Sequence, residues 1–188
     1  MSNFSAAFGY DFYIVPVKNS SVSDFSTAPT VDTATPVDAA HSVAYSAGVF
    51  TVNSVAFTMD GSDDAVRLVG LTAASLETDT GTEDIYTYDD STSGFNQAVA
   101  TTKSFSISLS GIADFGDAGY KILRLTEQNA VADGLRVAFK RVGPTGTTET
   151  IVGYGTLTGF SESNEVASIV SWECTLTGYG PYHLTLQS

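Results

Sequence analysis

The alternation of side chains between residues 104 and 110 restricts the fold more than any other feature of the sequence. Phe105, Ile107 and Leu109 are separated by a serine at every even-numbered position. Successive side chains of a β-strand point to opposite faces, so this segment predicts a strand with one buried face and one hydroxyl-lined face. The hydroxyl-lined face is expected to meet water or another polar surface.

Strand-like patterns recur along most of the chain. Apolar or alternating runs that predict further strands cover residues 10–17, 55–59, 66–71, 85–88, 135–139, 151–157, 166–177 and 183–186. Polar turn sequences separate several of them, including DGSDD at 60–64 and GPTG at 143–146. The chain is therefore expected to be mainly β.

A single segment, about 117–132, has the pattern of a helix. Asp117 is suited to the N-cap, and Gly134 is suited to a left-handed C-terminal residue. The apolar stripe at helical spacing consists of Ala118, Ile122, Leu125 and Ala132. Asp117 and Lys121 are four residues apart in the favourable order for an ion pair. Together with the strands, this predicts a β-sandwich or small barrel with one flanking α-helix.

The length of 188 residues suits one domain spanning 1–188. Residues 18–41 combine prolines with Ser, Thr and Ala, and they predict a long loop or arm because they have little bulk to bury. A plain surface loop and an arm that orders against a neighbouring molecule are equally compatible with this composition. Residues 18–60 as a whole are interpreted as an extension of the domain, made of this loop or arm and extra strands.

The charge balance excludes several functions. The chain has 21 acidic and 8 basic residues, a formal net charge of −13. Proteins that grip nucleic acid or anionic membranes need clustered Lys and Arg, so neither function is expected. No apolar run approaches the length of a membrane helix, and the first residues lack the basic region of a signal peptide. With Cys174 as its only cysteine, the chain is expected to be made inside the cell without a disulfide.

The residues of known catalytic and metal sites are absent at their usual spacings. His41 and His183 lie far apart in sequence, and Cys174 shares a predicted strand face with apolar neighbours, as a buried core cysteine would. Asp60 begins a run that resembles a calcium loop, but Ala65 and Leu71 occupy the positions that need Gly and an acid. The sequence therefore predicts no enzyme, no metal site and no cofactor.

The acidic residues are concentrated in one stretch. Residues 60–90 contain nine acids and one base, Arg67. Between 79 and 97 the acids are interleaved with aromatic residues, which is typical of a contact surface. The candidate contact residues are Asp79, Glu83, Asp84, Tyr86, Tyr88, Asp89, Asp90 and Phe95. The candidate basic counterpart, five of the eight bases, consists of Lys121, Arg124, Arg136, Lys140 and Arg141. This segregation suits head-to-tail self-assembly, but a solvated acidic face with accidental clustering explains it equally well.

The segment ETDTGTEDIYTYDDSTSGFNQAVATTKSFSISLSG at 77–111 resembles the central region of tail tube proteins of long-tailed, siphovirus-like bacteriophages. In this family an acidic loop ends in a small-Gly-aromatic element, matched by Ser93-Gly94-Phe95. A strand of alternating serines, a helix and a strand opening Gly-x-x-Val follow, the last matched at 134–137. GTLTGFSES at 155–163 fits a later element of the family, expected as a turn between strands.

The resemblance implies a structural virion protein. Subunits of this kind close into hexameric rings that stack head to tail into the tail tube, through which the genome leaves the capsid. The segment 79–97 would be the ring-stacking loop, and Ser104, Ser106 and Ser108 would face the lumen or a neighbouring subunit. Other tail proteins would bind the tube ends, DNA would pass without tight binding, and no membrane would be involved. The protein would be assembled in the host cytoplasm and be located in the virion tail.

A binding module is the alternative function. A β-sandwich on a virion surface that recognises carbohydrates or acts as an adhesin would use exposed tyrosines to stack on sugar rings, and the chain has nine tyrosines. An enzyme ranks third, because the sequence lacks a catalytic motif.

Overall fold

The computed structural model describes residues 9–37, 41–85, 97–144, 149–163 and 169–186. Within these ranges the chain forms twelve strands and one α-helix, α1, at Ala118–Asp133. The first six strands are β1 (Asp11–Lys18), β2 (Asp32–Val37), β3 (Val43–Ser46), β4 (Val49–Val52), β5 (Val55–Ala56) and β6 (Asp64–Arg67). The others are β7 (Leu71–Ile85), β8 (Gln97–Ile112), β9 (Leu135–Val142), β10 (Thr150–Ser163), β11 (Ser171–Gly178) and β12 (His183–Thr185). The predicted mainly-β fold with one flanking helix is confirmed.

Nine of these strands form one strongly curved sheet. Its order is β2-β6-β1-β9-β10-β11-β8-β7, and β12 pairs with the first part of β10. The pairs are antiparallel except β2 with β6. The rings of Phe105 on β8 and Phe139 on β9 have centroids 5.9 Å apart. In the sheet order β9 and β8 are three positions apart, and neighbouring strands are spaced by about 4.8 Å. Side chains that point straight out of a flat sheet from these two strands would therefore lie about 14 Å apart. The sheet therefore bends around the core that both rings enter.

Residues 104–110 form part of β8 with one buried and one polar face, as their alternation predicts. Phe105, Ile107 and Leu109 are buried in the main core, and the serines between them lie on the opposite face. The neighbouring strand β11 repeats this pattern with Trp172, Cys174 and Leu176, which are also buried. Helix α1 packs on the same core through the fully buried Ile122 and Leu123.

Helix α1 has the predicted cap residues and lies one residue from the predicted span of about 117–132. The Asp117 carboxylate accepts a hydrogen bond of 2.9 Å from the Tyr120 amide, and Gly134 follows the helix with φ of 61°. The expected apolar stripe is only partly right, since Ala132 is exposed. Lys121 does not pair with Asp117 through its ammonium group, which donates instead to the carbonyl oxygens of Gly116 and His41 at 3.1 and 3.0 Å.

The prediction of a loop or arm at 18–41 is wrong in part. It contains β2, and Val31 before it is buried. Phe25 packs edge-on against Tyr154 and Tyr179, with ring centroids 5.0 and 4.8 Å away. These contacts cover a second, smaller apolar cluster on the face of the sheet opposite to α1. A few large side chains are enough to dock a segment whose average composition is small and polar.

The residues after this segment add a separate three-stranded sheet, β3-β4-β5. Phe50 and Val52 of β4 are buried in the main core, and Tyr45 Oη donates to Asp133 Oδ2 at 2.5 Å.

The strand predicted at 55–59 is much shorter than expected, because β5 ends at Ala56. Met59 is buried with a φ of 60°, a left-handed conformation that interrupts a strand.

Three other boundaries differ from the sequence prediction. The strand expected at 66–71 is split at Gly70, whose φ of 77° forms the turn between β6 and β7. Residues 155–163 are not a turn but the second half of β10, irregular between Thr158 and Ser161. The strand expected from 166 begins at Ser171, and residues 164–168 lie outside the described residues.

Candidate assembly surfaces

A two-stranded arm projects from one end of the sheet. Strand β8 pairs with β11 only through Ser106–Ile112, whereas its pairing with β7 continues to Gln97. Residues 78–85 and 97–104, called the arm here, therefore pair only with each other. Part of the predicted loop at 79–97 is thus strand, because Asp79 to Ile85 continue β7.

The arm is polar and acidic. Asp79, Glu83 and Asp84 are exposed on β7, and Lys103 is the base that β8 contributes. The other predicted contact residues, Tyr86, Tyr88, Asp89, Asp90 and Phe95, lie outside the described residues. A two-stranded ribbon without an apolar face to bury is only marginally stable in water. The arm therefore gains the most from contact with another surface.

A second surface, the hydroxyl face, covers β10, β11, β8 and β7 on the side opposite to the main core. Cross-strand pairing sets its side chains in rows, of which Ser75, Ser108, Thr175 and Thr158 form one. A neighbouring row consists of Glu77, Ser106, Thr177 and Thr156. A third consists of Ala73, Ser110, Glu173 and Ser161.

The hydroxyl face is weakly acidic. Its hydroxyl groups form hydrogen bonds across the strands: Ser161 Oγ donates to Glu173 Oε1 at 3.1 Å, and Thr158 Oγ1 donates to the backbone carbonyl oxygen of Thr175 at 3.3 Å. Glu77 and Glu173 are the charged members of the three rows, and at one end Arg136 donates to Thr156 Oγ1. The face presents carboxylates and hydroxyls to whatever lies in front of it.

The five predicted basic residues are divided between two sides of the sheet. Lys121 and Arg124 belong to α1, which packs on the main core. Alternation along β9 places Arg136 and Lys140 with Ala138, on the opposite face. The structure does not bring the five together as one patch.

Each of these bases also has a partner within its own subunit. Arg124 Nη1 lies 3.1 Å from Glu162 Oε1, and Arg141 Nη2 lies 2.6 Å from Glu149 Oε1. Lys140 Nζ donates to Thr33 Oγ1 at 2.9 Å. Arg136 Nε donates to Asn19 Oδ1 at 2.5 Å, and Lys121 binds the two carbonyls described above. A contact of these bases with the arm of another subunit stays a prediction.

The residues considered for chemistry have structural roles. Cys174 is buried, and burial raises the pKa of its thiol to about 12, so the thiol is unreactive at neutral pH. The carboxylate of Asp63 accepts from the amides of Thr58 and Met59 at 2.7 and 2.8 Å, closing its own turn. In the described ranges no group of three His, Cys, Asp or Glu side chains is placed to hold a metal ion. No helix there is long and apolar enough to cross a membrane.

The tyrosines give little support to a sugar-binding surface. The guanidinium carbon of Arg136 lies 3.3 Å from the ring centroid of Tyr179, and Lys103 Nζ lies 5.7 Å from that of Tyr182. Buried or half-buried tyrosines are Tyr10, Tyr13, Tyr45, Tyr120 and Tyr154. A sugar ring needs a free aromatic face, and the described tyrosines are largely engaged within the subunit.

A family model described as phage tail tube protein matches residues 55–183. The chain belongs to this family. The resemblance of residues 77–111 to phage tail tube proteins is therefore confirmed, and with it the structural, non-enzymatic role of a tail tube protein in a virion tail. The match begins at β5, so β1 to β4 precede the part of the chain that the family model covers.

Solved structures share the tail tube fold at low sequence identity. The tail of an empty gene transfer agent particle, refined with C6 symmetry, matches with a TM-score of 0.53 and 19% identity over 68% of this chain and 89% of that chain. The virion of a native gene transfer agent matches with 0.52 and 18%, over 64% and 88%. The SPP1 tail tube matches with 0.50 and 14%, over 80% and 77%. No curated protein sequence matches the chain.

Sequence reasoning missed two features of these surfaces. Lys103 was not among the predicted contact bases, although it is exposed on the arm. The continuity of the hydroxyl face across four strands was also missed, since its rows join residues up to a hundred positions apart. The alternation of polar and apolar residues at 171–177 was the signal for it, because it repeats the 104–110 pattern.

Proposed function

We propose that six copies of this chain close into a ring and that the rings stack head to tail into a phage tail tube, the conduit for genome ejection. The match of residues 55–183 to the tail tube family carries this proposal. The similar gene transfer agent tail has C6 symmetry, which supports the number six. The three-stranded sheet of the described chain packs into the core of the nine-stranded sheet, so we treat 1–188 as a single domain with 18–60 as its extension.

In this assembly the hydroxyl face lines the lumen. It is the broad part of the sheet left uncovered on the side opposite to α1, because the segment around Phe25 and Val31 covers the rest. Hydroxyl groups keep such a wall hydrated, and Glu77 and Glu173 repel the phosphates of passing DNA. Cationic side chains would instead impose a salt-dependent grip on a polyanion.

The arm makes the contact between rings. Its acidic strand and its lack of a packed face favour an ordered position against a second copy. Among the five bases, Arg124 is the candidate counterpart best placed to exchange partners, because its side chain is 53% exposed. Other tail proteins cap the tube ends, and assembly takes place in the host cytoplasm without a membrane.

Negative-stain electron microscopy of the purified chain tests the proposal. Six-fold rings or long tubes are expected as the protein is concentrated. A chain that stays monomeric at all concentrations and binds a glycan array would overturn it in favour of the carbohydrate-binding alternative.

A charge reversal tests the arm separately. Asp79→Lys with Asp84→Lys should abolish tubes, while Asp64→Lys, an exposed carboxylate on β6, serves as the matched control. Tubes formed equally well by both variants would remove the arm's acids from the ring contact.

A further inference from the structure

Two apolar surfaces lie at opposite ends of the β8–β11 pair. At one end, beyond Ile112 and Ser171, Phe115 and Ile169 are 58% and 70% exposed. At the other end, a pocket of about 670 Å³ opens beside Phe105. The distance along the strand from Phe105 to Ile112 is about 23 Å, because a strand rises about 3.3 Å per residue.

The pocket lies at the base of the arm. Phe105, Tyr182 and Leu184 form its apolar wall, and Leu184 is 48% exposed. Lys103 stands at its rim, with Nζ over the Tyr182 ring. Lys103 belongs to the arm itself, so a partner that meets the arm also meets the pocket.

The opposite end has the complementary charge. Asp114 is exposed next to Phe115, and its Oδ1 accepts from the Gly116 amide at 2.8 Å. This bond orients the carboxylate beside the exposed ring. An apolar side chain flanked by an anion at one end therefore matches an apolar pocket flanked by a cation at the other.

We infer that Phe115 of one copy, supported by Ile169, inserts into the Phe105–Tyr182–Leu184 pocket of the next copy along the tube, with Asp114 facing Lys103 across the contact. This inference rests on the proposed stacking of rings and specifies its apolar part. A contact between two different patches of identical molecules propagates head to tail, as a tube requires. Aromatic side chains in desolvated pockets dominate the energy of such interfaces.

Crosslinking between two variants that each carry one added cysteine tests the geometry. Phe115→Cys and Leu184→Cys proteins are mixed, assembled and treated with a short bis-maleimide. Cys174 does not react, because it is buried. A covalent dimer is expected from the mixture and from neither variant alone, and Val131→Cys mixed with Leu184→Cys is the control, since Val131 is 99% exposed on α1.

Substitution tests the energetics. Phe115→Asp should raise the protein concentration needed for tubes by on the order of tenfold, whereas Val131→Asp, the same change at another exposed apolar residue, should leave it unchanged. Lys103→Glu and Asp114→Lys should each weaken assembly, and their combination should restore it. Circular dichroism checks that each variant is folded.

The outcomes separate this inference from the proposed function. If the mixed cysteine variants form tubes without the crosslink, or if Phe115→Cys alone gives a dimer, the pocket contact is overturned and the proposed tube is not. Normal assembly of Phe115→Asp would also overturn the pocket contact without affecting the proposed tube. A wild-type chain that forms no rings or tubes overturns the proposed function instead.

Discussion

Asp117 is the residue at which helix capping and burial oppose each other. Its Oδ2 caps the Tyr120 amide, but Oδ1 is buried without a hydrogen-bond partner in the described structure. Burial, with a smaller contribution from Asp114, raises the pKa of this carboxyl above its ordinary 3.8. The folded state therefore favours the protonated form more than the unfolded chain does. The resulting stability is complete below the unfolded pKa and is lost as the pH rises through the folded pKa.

Two substitutions at Asp117 separate the cap from the charge. Asp117→Asn keeps an acceptor for the Tyr120 amide without a charge, so its stability relative to wild type should be greater at pH 7 than at pH 3. Asp117→Ala removes the charge in the same way but also loses the cap, so it should be about 1 kcal/mol less stable than Asp117→Asn at either pH. Urea unfolding at the two pH values measures both. Equal losses for Asn and Ala at pH 7 would show that the carboxylate is needed as an ion.

Among the elements, those defined by local pattern were predictable and those defined by distant partners were not. The alternation at 104–110 and the Asp117 and Gly134 caps are complete within a few residues, so strand β8 and helix α1 were anticipated. Docking of the segment before β2 depends on Phe25 meeting Tyr154, 129 positions later in the chain. The strand character of Asp79 to Ile85 likewise comes from pairing with β8, because its Thr-rich, acidic composition has weak strand preference of its own.

Strands β3 and β4 precede the residues that the family model covers, and β5 lies at the start of them. The small sheet β3-β4-β5 nevertheless contributes side chains to the main core. Phe50 is fully buried, so Phe50→Ala should destabilise the subunit by about 3–5 kcal/mol. Val55→Ala removes an apolar side chain that is mostly exposed in the same sheet and should change stability by less than about 0.5 kcal/mol. Thermal and urea unfolding measure the difference. If both variants match wild type, the sheet is a dispensable attachment.

The segment before β2 should loosen locally when its anchor is removed. Phe25 contacts Tyr154, Tyr179 and the guanidinium of Arg136 at one end of the sheet. Phe25→Ala should therefore increase amide hydrogen exchange between residues 19 and 31, with little change in the protection of β8 and β11. Hydrogen-exchange mass spectrometry resolves the two regions. Uniformly faster exchange would mean that this segment stabilises the whole subunit rather than itself.

The net charge of −13 has one consequence for a single subunit and another for an assembled tube wall. It rules out tight binding of DNA by one subunit, because such binding depends on clustered cations. In an assembled wall the same excess of acid repels a polyanion from every side, which favours passage over retention. Acidity that argues against a DNA-binding protein is therefore compatible with a DNA conduit.

A cation placed on the hydroxyl face should make the tube retain DNA. Ser108 and Thr175 face each other at the centre of this face, so Ser108→Lys or Thr175→Lys would add at least six cations per six-membered ring. Tubes of either variant assembled with short duplex DNA should retain it, protect it from nuclease and release it as salt is raised. Val131→Lys, on the exposed side of α1, should bind DNA only where nuclease reaches it. Equal digestion in all three kinds of tube would place the hydroxyl face outside the lumen.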